Sequence, residues 1–574
     1  MEGTLLLLLL AAVCHPALTS AAFEVDDYRY LNELRQAESG HPQALLQGLV
    51  VENRWDENWW IPEGTFVRFL RPLVLPAYAA DRALWRAAGP VGFLLTNLLL
   101  HALASLLVWG CFRRLLGRGW PAFLAAAAFA TAGCHMENLD YVAGRTDTLA
   151  GIGFFATLLM HLWTRERRSL RGGLATAALY FLALLGKELT VFLPVLLFLL
   201  DWRVPPQRGG PRPAFRQVLR SGRFVWAGCA GALLLYLGIR GFALGAEGSG
   251  GRPFPYFFLP GRDGFWPRTG AVALQYCLGL AAGLPVIPFV ARLSDFAHGL
   301  APAWLWAAGL LVPGLFLRVV RTSLGGWFGV LFLVTLVPLL PLYSSGRYLY
   351  LPSFAWCGAL GILACELPRF RRTLPRNAGR ILLAALVALP AGIHYRALSR
   401  RPVPGGYLRK APSAERIREE FEPVVDRFQA GRPVYLLDFP FLWIEVQFLQ
   451  PALEEMFDRG LPPVRVLTQA PFHPKYGSTR LRRIDARTIE LVRGGFPLHD
   501  PKPGLEFDPR KVRTGERIEE EGYEAEVVEE KGGQAVRLRI HFPDDLAGIS
   551  LWRFLPREGG GWRLKEVPAP GEAR

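Results

Sequence analysis

The sequence predicts a polytopic α-helical membrane protein that ends in a soluble α/β domain. Long apolar runs recur from the N-terminus to about residue 395, whereas the stretch from about 396 to 574 is charged and run-free. Arginine crowds the short loops between the runs, where it fixes membrane orientation. The charged stretch instead carries apolar residues at the periods of short helices and strands. We therefore divide the chain into a membrane domain, 1–396, and one soluble domain, 397–574. The net charge of +16 is explained by those loops, so nucleic-acid binding is not implied. None of the seven cysteines forms a CxxC pair, and all lie in or beside apolar runs, as small buried hydrophobes do.

A span needs about 20 apolar residues, or somewhat fewer where its ends are shielded. Runs at 3–22, 90–112, 120–134, 142–163, 173–186, 188–202, 224–243, 302–319, 324–343, 347–366 and 379–396 give eleven spans. The stretch 269–290 is interrupted by Pro285 and Pro288, where helical hydrogen bonding fails, and is read as re-entrant or interfacial. Charge supports that reading. Arg113, Arg114 and Arg118, then Arg165, Arg167, Arg168 and Arg171, then Arg203, Arg208, Arg212, Arg216, Arg220 and Arg223, mark cytoplasmic loops. If 269–290 does not cross, Arg318, Arg321 and the run Arg369, Arg371, Arg372, Arg376 and Arg380 also fall inside, and the C-terminal domain falls outside. The arginine-rich usage reads as bacterial, which places the chain in an inner membrane. Small residues at Thr19–Ala22 leave a cleaved signal peptide as the alternative to an uncleaved first span, and either leaves Asp26 outside.

Residues 23–88 form the first external loop, with Asp26 and Asp27, the aromatic group Trp55, Trp59 and Trp60, and the segment Arg68–Tyr78, read as short interfacial helices. The tryptophans read as a membrane belt, with a sugar platform as the alternative. On the same side fall His135, Glu137, Arg145 and Asp147, then Lys187 and Glu188, then Arg347. Ionisable groups at span ends cost free energy unless they are paired or wetted, so their convergence suggests a polar site at one membrane face. Each has a plainer reading. Asp26 and Asp27 could simply open a helix. The His135–Asp147 group could be an ion-pair network, Lys187 and Glu188 could pair with each other, and Arg347 could anchor at the interface beside Tyr348 and Tyr350. No metal site is read, because His135-x-Glu137 lacks further ligands at suitable spacing.

The set suits transfer of a glycosyl group from a lipid phosphate, which needs a carboxylate to take a hydroxyl proton and cations to stabilise the departing phosphate. Asp26–Asp27, Phe69-Leu-Arg-Pro-Leu73, His135-Met-Glu137 with Gly144-Arg-Thr-Asp147, Gly186-Lys-Glu188 and Arg347-Tyr-Leu-Tyr-Leu-Pro-Ser353 occur in order. Together these pieces resemble the membrane part of the transmembrane-and-tetratricopeptide O-mannosyltransferases and their bacterial relatives, in the GT-C glycosyltransferase superfamily. The likeness covers roughly residues 23–400. It implies a GT-C-like fold and inverting transfer of a mannose-like sugar from a polyprenyl-phosphate donor, a co-substrate rather than a cofactor, to a protein or glycan hydroxyl outside the cytoplasm. By analogy Asp26 is the general base and Asp27 orients it or binds acceptor. Arg145, Lys187 and Arg347 then meet the lipid phosphate, with His135 and Glu137 shaping the pocket floor and Asp147 and Glu188 completing the binding set. No 34-residue repeat follows residue 396, so acceptor choice does not carry over. Competing classes are a transporter or flippase of lipid-linked or small solutes, and an inactive scaffold of the same fold. Against the transporter, no internal repeat or paired broken helices are visible.

In the tail, 413–430 reads as an amphipathic helix opening at Ser413, with Ile417, Phe421, Val424, Val425 and Phe428 on one face. Val434–Phe439 and Val464–Leu467 read as strands flanking a helix at 441–459, a βαβ-like unit. Alternation in Ile484–Val492, Tyr523–Val528 and Ala535–Phe542, with a turn at Lys531-Gly-Gly533, predicts antiparallel strands.

Overall fold

The structure is a computed structural model that describes residues 1–24, 26–54, 58–117, 119–165, 169–204, 213–245, 248, 260–261, 265–284, 286, 303–342, 344–366, 378–399, 417–440, 443–470, 479–499, 510–556 and 562–567. Its helical part runs α1 (Glu2–Cys14), α2 (Asp26–Glu38), α3 (Gln43–Gln47), a hairpin of β1 (Val50–Arg54) and β2 (Phe66–Leu70), α4 (Val74–Trp85), α5 (Pro90–Leu115), α6 (Trp120–Ala130), α7 (Met136–Asp140), α8 (Arg145–Thr164), α9 (Leu170–Gly186), α10 (Leu193–Arg203), α11 (Phe215–Ser221), α12 (Arg223–Leu244) and α13 (Phe265–Ala282). It continues through α14 (Ala303–Val319), α15 (Ser323–Leu336), α16 (Tyr350–Glu366) and α17 (Ala378–Ser399).

Each predicted apolar run contains one of these helices. Among the described residues, four stretches are long and apolar enough to cross a membrane: Glu2–Thr19, Pro90–Leu115, Arg223–Leu244 and Gly346–Glu366. Leu170–Gly186 and Ser323–Leu339 are shorter apolar helices. Within 269–290 the helix ends at Ala282, and Gly283 takes a positive φ of 66° before the prolines. Pairing of α8 with α9 depends on missing side chains. A Cβ on Gly153 would lie 2.6 Å from the Cα of Ala183, and one on Gly186 would lie 2.9 Å from the Cα of Ala150. Small residues of this kind let helix backbones approach closely, and this approach delivers Lys187, at the end of α9, to the start of α8.

The first loop differs from the expectation of short helices alone. α2, α3 and α4 are present, but Arg68–Leu70 belongs to a strand, with Val50 paired to Leu70 and Asn53 to Val67. Trp59 and Trp60, in the loop of that hairpin, are neither belt nor platform. Both are 1% exposed and buried among tail residues such as Leu436, Leu467 and Leu498. The Trp59 indole N–H donates to the Leu467 carbonyl at 3.0 Å, and the Trp60 ring stacks on His499. Trp55 lies outside the described residues.

Among its described residues the tail holds two sheets. β3 (Val434–Leu437), α18 (Trp443–Met456) and β4 (Val464–Val466) form the expected βαβ unit, with β3 and β4 parallel. β10 (Ser550–Pro556) and β11 (Trp562–Glu566) extend it in the order β11-β10-β3-β4. The other sheet, ordered β5-β6-β9-β8-β7, is antiparallel and comprises Arg480–Arg483, Thr488–Val492, Arg517–Glu520, Tyr523–Lys531 and Gln534–His541. Residues 484–487, expected within a strand, instead make the β5–β6 turn, where the Asp485 carboxylate accepts the Arg487 N–H at 2.8 Å. The predicted helix at 413–430 is described only from residue 417. It gives way to a turn at 422–424 and a 3₁₀ turn at Val425–Arg427, because Pro423 cannot sit in a helix interior. The predicted apolar face is buried nonetheless.

Candidate active site

α2 begins at the acidic pair, whose charge suits a helix N-terminus. The two carboxylates then part. Asp27 is fully buried and receives the Tyr78 hydroxyl at 2.6 Å, the Ala143 N–H at 2.8 Å and the Glu24 N–H at 2.8 Å. Burial pushes its pKa up to about 7 against the pull of these donors. Asp26 lines a cavity of about 300 Å³ and has no hydrogen-bond or ion-pair partner among the described residues.

That cavity gathers residues from seven stretches of the chain. Arg29 and Tyr30 come from α2, Val51, Asn53 and Phe69 from the hairpin, and Arg71 from the turn after it. Thr146 and Asp147 come from α8, Lys187 and Glu188 from the α9 exit, and Arg347 and Tyr348 from the turn before α16. Leu189, Pro338, Leu339 and Leu342 make an apolar edge. Lys187 Nζ pairs with Asp147 at 2.5 Å and lies 4.6 Å from the centre of the Tyr348 ring. Glu188 pairs with Arg240 at 3.2 Å rather than with its neighbour. Arg347 is set by its own backbone N–H, which donates to Glu137 at 3.2 Å, and its guanidinium lies 5.7 Å from both the Tyr141 and Tyr348 rings.

Asp26, Asp147, Lys187, Glu188 and Arg347 thus meet in one place, and the remaining predicted residues lie outside the cavity lining. Arg145, expected at a phosphate, is fully buried and occupied: it pairs with Asp81 at 2.5 Å and donates to Asn97 Oδ1 at 2.9 Å and to the Phe93 carbonyl at 3.0 Å. Its fork of donors is consumed by protein, so it serves as a bolt between α4, α5 and α8. His135, expected at the pocket floor, bonds Ser353 at 2.9 Å and packs against His101, Phe129 and Tyr350. Glu137 acts indirectly, holding Ser345 and the Arg347 backbone. The four residues His135 to Asp147 therefore do not form one ion-pair network. Glycine at 144 is required by this corner, because a Cβ there would overlap the Glu137 carbonyl oxygen.

Residues not assigned from sequence also line the cavity. Arg71 stands inside the Phe69–Leu73 piece, and a cation in that piece was the available signal. Tyr348 likewise stands inside the Arg347–Ser353 piece, whereas Arg29 and Asn53 carried no signal, since their cavity positions come from the hairpin and helix packing.

No protein-family model matches the chain. A stretch of 119 residues is 34% identical to Protein O-mannosyl-transferase Tmtc2 of Drosophila melanogaster, covering 20% of this chain and 13% of that protein's length. Among solved structures the chain is similar to the Archaeoglobus fulgidus oligosaccharyltransferase tethered with an acceptor peptide, at a TM-score of 0.44 and 11% identity over 81% of this chain and 63% of that one. It is also similar to ArnT from Cupriavidus metallidurans bound to undecaprenyl phosphate, at a TM-score of 0.44 and 15% identity over 80% of this chain and 89% of that one.

Proposed function

We propose that this chain is an inverting glycosyltransferase that moves a mannose-like hexose from a polyprenyl-phosphate carrier to the hydroxyl of an extracytoplasmic protein or glycan. The observation that carries this reading is that the Asp26 carboxylate, without a partner among the described residues, shares one cavity with Arg71, Lys187 and Arg347. Asp26 takes the proton of the acceptor hydroxyl as its oxygen attacks the anomeric carbon. The bond from that carbon to the phosphate oxygen breaks on the opposite face, and the configuration inverts. Arg71, Arg347 and the Asp147-paired Lys187 stabilise the phosphate that leaves with the bonding electrons. Asp27, buried and triply bonded, positions the start of α2 and with it Asp26. The apolar edge of Leu189, Pro338, Leu339 and Leu342 is where the first carrier unit would approach.

In this reading residues 1–396 form a multi-pass catalytic domain in a bacterial inner membrane, and 397–574 lie on its outer side. Membranes containing the chain, supplied with polyprenyl-phosphate mannose and total extracytoplasmic protein, should release polyprenyl phosphate while mass spectrometry finds new hexose on protein or glycan. An unchanged glycan profile together with altered solute flux would replace the enzyme with a transporter.

A further inference from the structure

Asn53 stands on β1, opposite Val67, and is 8% exposed, with that remaining exposure in the cavity wall. Its amide is oriented by a neighbour that leaves no choice. Arg29 Nη1 approaches the Asn53 side chain at 3.1 Å, and a guanidinium only donates, so the amide oxygen must face it. Arg29 is itself fixed, donating also to the Val50 carbonyl at 3.0 Å and to the Glu52 carbonyl. The Asn53 Nδ2 group is thereby turned away from Arg29, and among the described residues it has no hydrogen-bond partner. An amide whose oxygen is clamped and whose two N–H donors are unspent beside a cavity is prearranged to donate to what enters it.

We infer that Asn53 is a specificity residue whose Nδ2 donates to a hydroxyl oxygen of the transferred sugar, with Arg29 as its positioning residue. The inference rests on the glycosyltransferase reading above and deepens it. The anionic part of a lipid-linked donor is served by Arg71, Lys187 and Arg347, whose full charges outcompete a neutral amide for phosphate oxygens. The neutral, directional donors of Asn53 suit a hydroxyl instead. Sites built to bond a hydroxyl discriminate by leaving their own polar group unpaired when it is missing.

The test compares wild type and Asn53→Ala in detergent for binding of bare undecaprenyl phosphate and of its mannosyl, glucosyl and galactosyl forms. For the hexosyl carrier that the wild type binds best, the variant should bind about tenfold more weakly, while its affinity for bare undecaprenyl phosphate stays at the wild-type value. Unchanged bare-carrier binding also certifies that the variant cavity is intact. Equal weakening of both ligands, no weakening of either, or a wild type that prefers no hexosyl form to the bare carrier would each overturn the assignment. A wild type that binds none of these lipids defeats the functional reading itself, which is a separate result.

Discussion

Two neighbouring aspartates, Asp26 and Asp27, have opposite surroundings. Asp27 carries a prediction of its own, because its folded pKa of about 7 lies above the unfolded value of about 3.9. The stability linked to that carboxyl is complete below the unfolded value and is lost as pH rises through the folded one. Relative to Asp27→Asn, the wild-type melting temperature should therefore fall between about pH 4 and about pH 7.5 and then level off. A difference between the two proteins that is flat across that range would remove the buried-carboxylate description. Arg145 is predicted to behave as structure rather than as a phosphate ligand. Arg145→Lys cannot satisfy Asp81, Asn97 and the Phe93 carbonyl together. It should cost about 3–5 kcal/mol of stability, read by thermal unfolding in detergent, whereas the surviving folded protein keeps its affinity for undecaprenyl phosphate. The arginine was visible in the Gly144–Asp147 piece, but its partners were not, since Asp81 and Asn97 reach it only once α4, α5 and α8 have packed.

At the scale of elements, the β1–β2 hairpin joins the two halves of the chain. Its strands carry Val51, Asn53 and Phe69 to the cavity, and its loop plugs Trp59 and Trp60 into the tail. Further ties run beside it, from Arg35 to Glu454 at 3.2 Å and from Arg82 to Glu455 at 3.3 Å. Removing a buried indole and orphaning the Leu467 carbonyl should be severe. Trp59→Ala is expected to cost about 3–5 kcal/mol and to make the tail cleavable by trypsin under conditions in which the wild type resists. A tail equally resistant in the variant would mean that the plug bears little of the docking. This hairpin was the least legible element in the sequence. Val50–Arg54 and Phe66–Leu70 are short, and the partners of the tryptophans lie some 400 positions away at Leu467, beyond any local pattern. The βαβ unit of the tail was legible, because β3, α18 and β4 are adjacent in sequence and each shows its own period.

The whole molecule holds a helical bundle, a cavity and a sheet-bearing tail in contact through the hairpin loop and through the pairs of Arg35 with Glu454 and Arg82 with Glu455. Apolar runs announced the bundle, and the charges at their ends announced a polar cavity. Five of the nine site residues read from sequence meet in that cavity, and the four that do not, Asp27, His135, Glu137 and Arg145, are the most deeply tied to protein partners. Sequence position showed that most of these charges lie at the ends of apolar runs. Only packing decides which of them face the void. The most direct measurement is the rate of hexose transfer from polyprenyl-phosphate donor by purified Asp26→Asn beside wild type. Loss of the base predicts a rate at least about 100-fold lower with undecaprenyl phosphate bound as tightly as before. Transfer at the wild-type rate would contradict the assignment of Asp26 as the group that takes the acceptor proton.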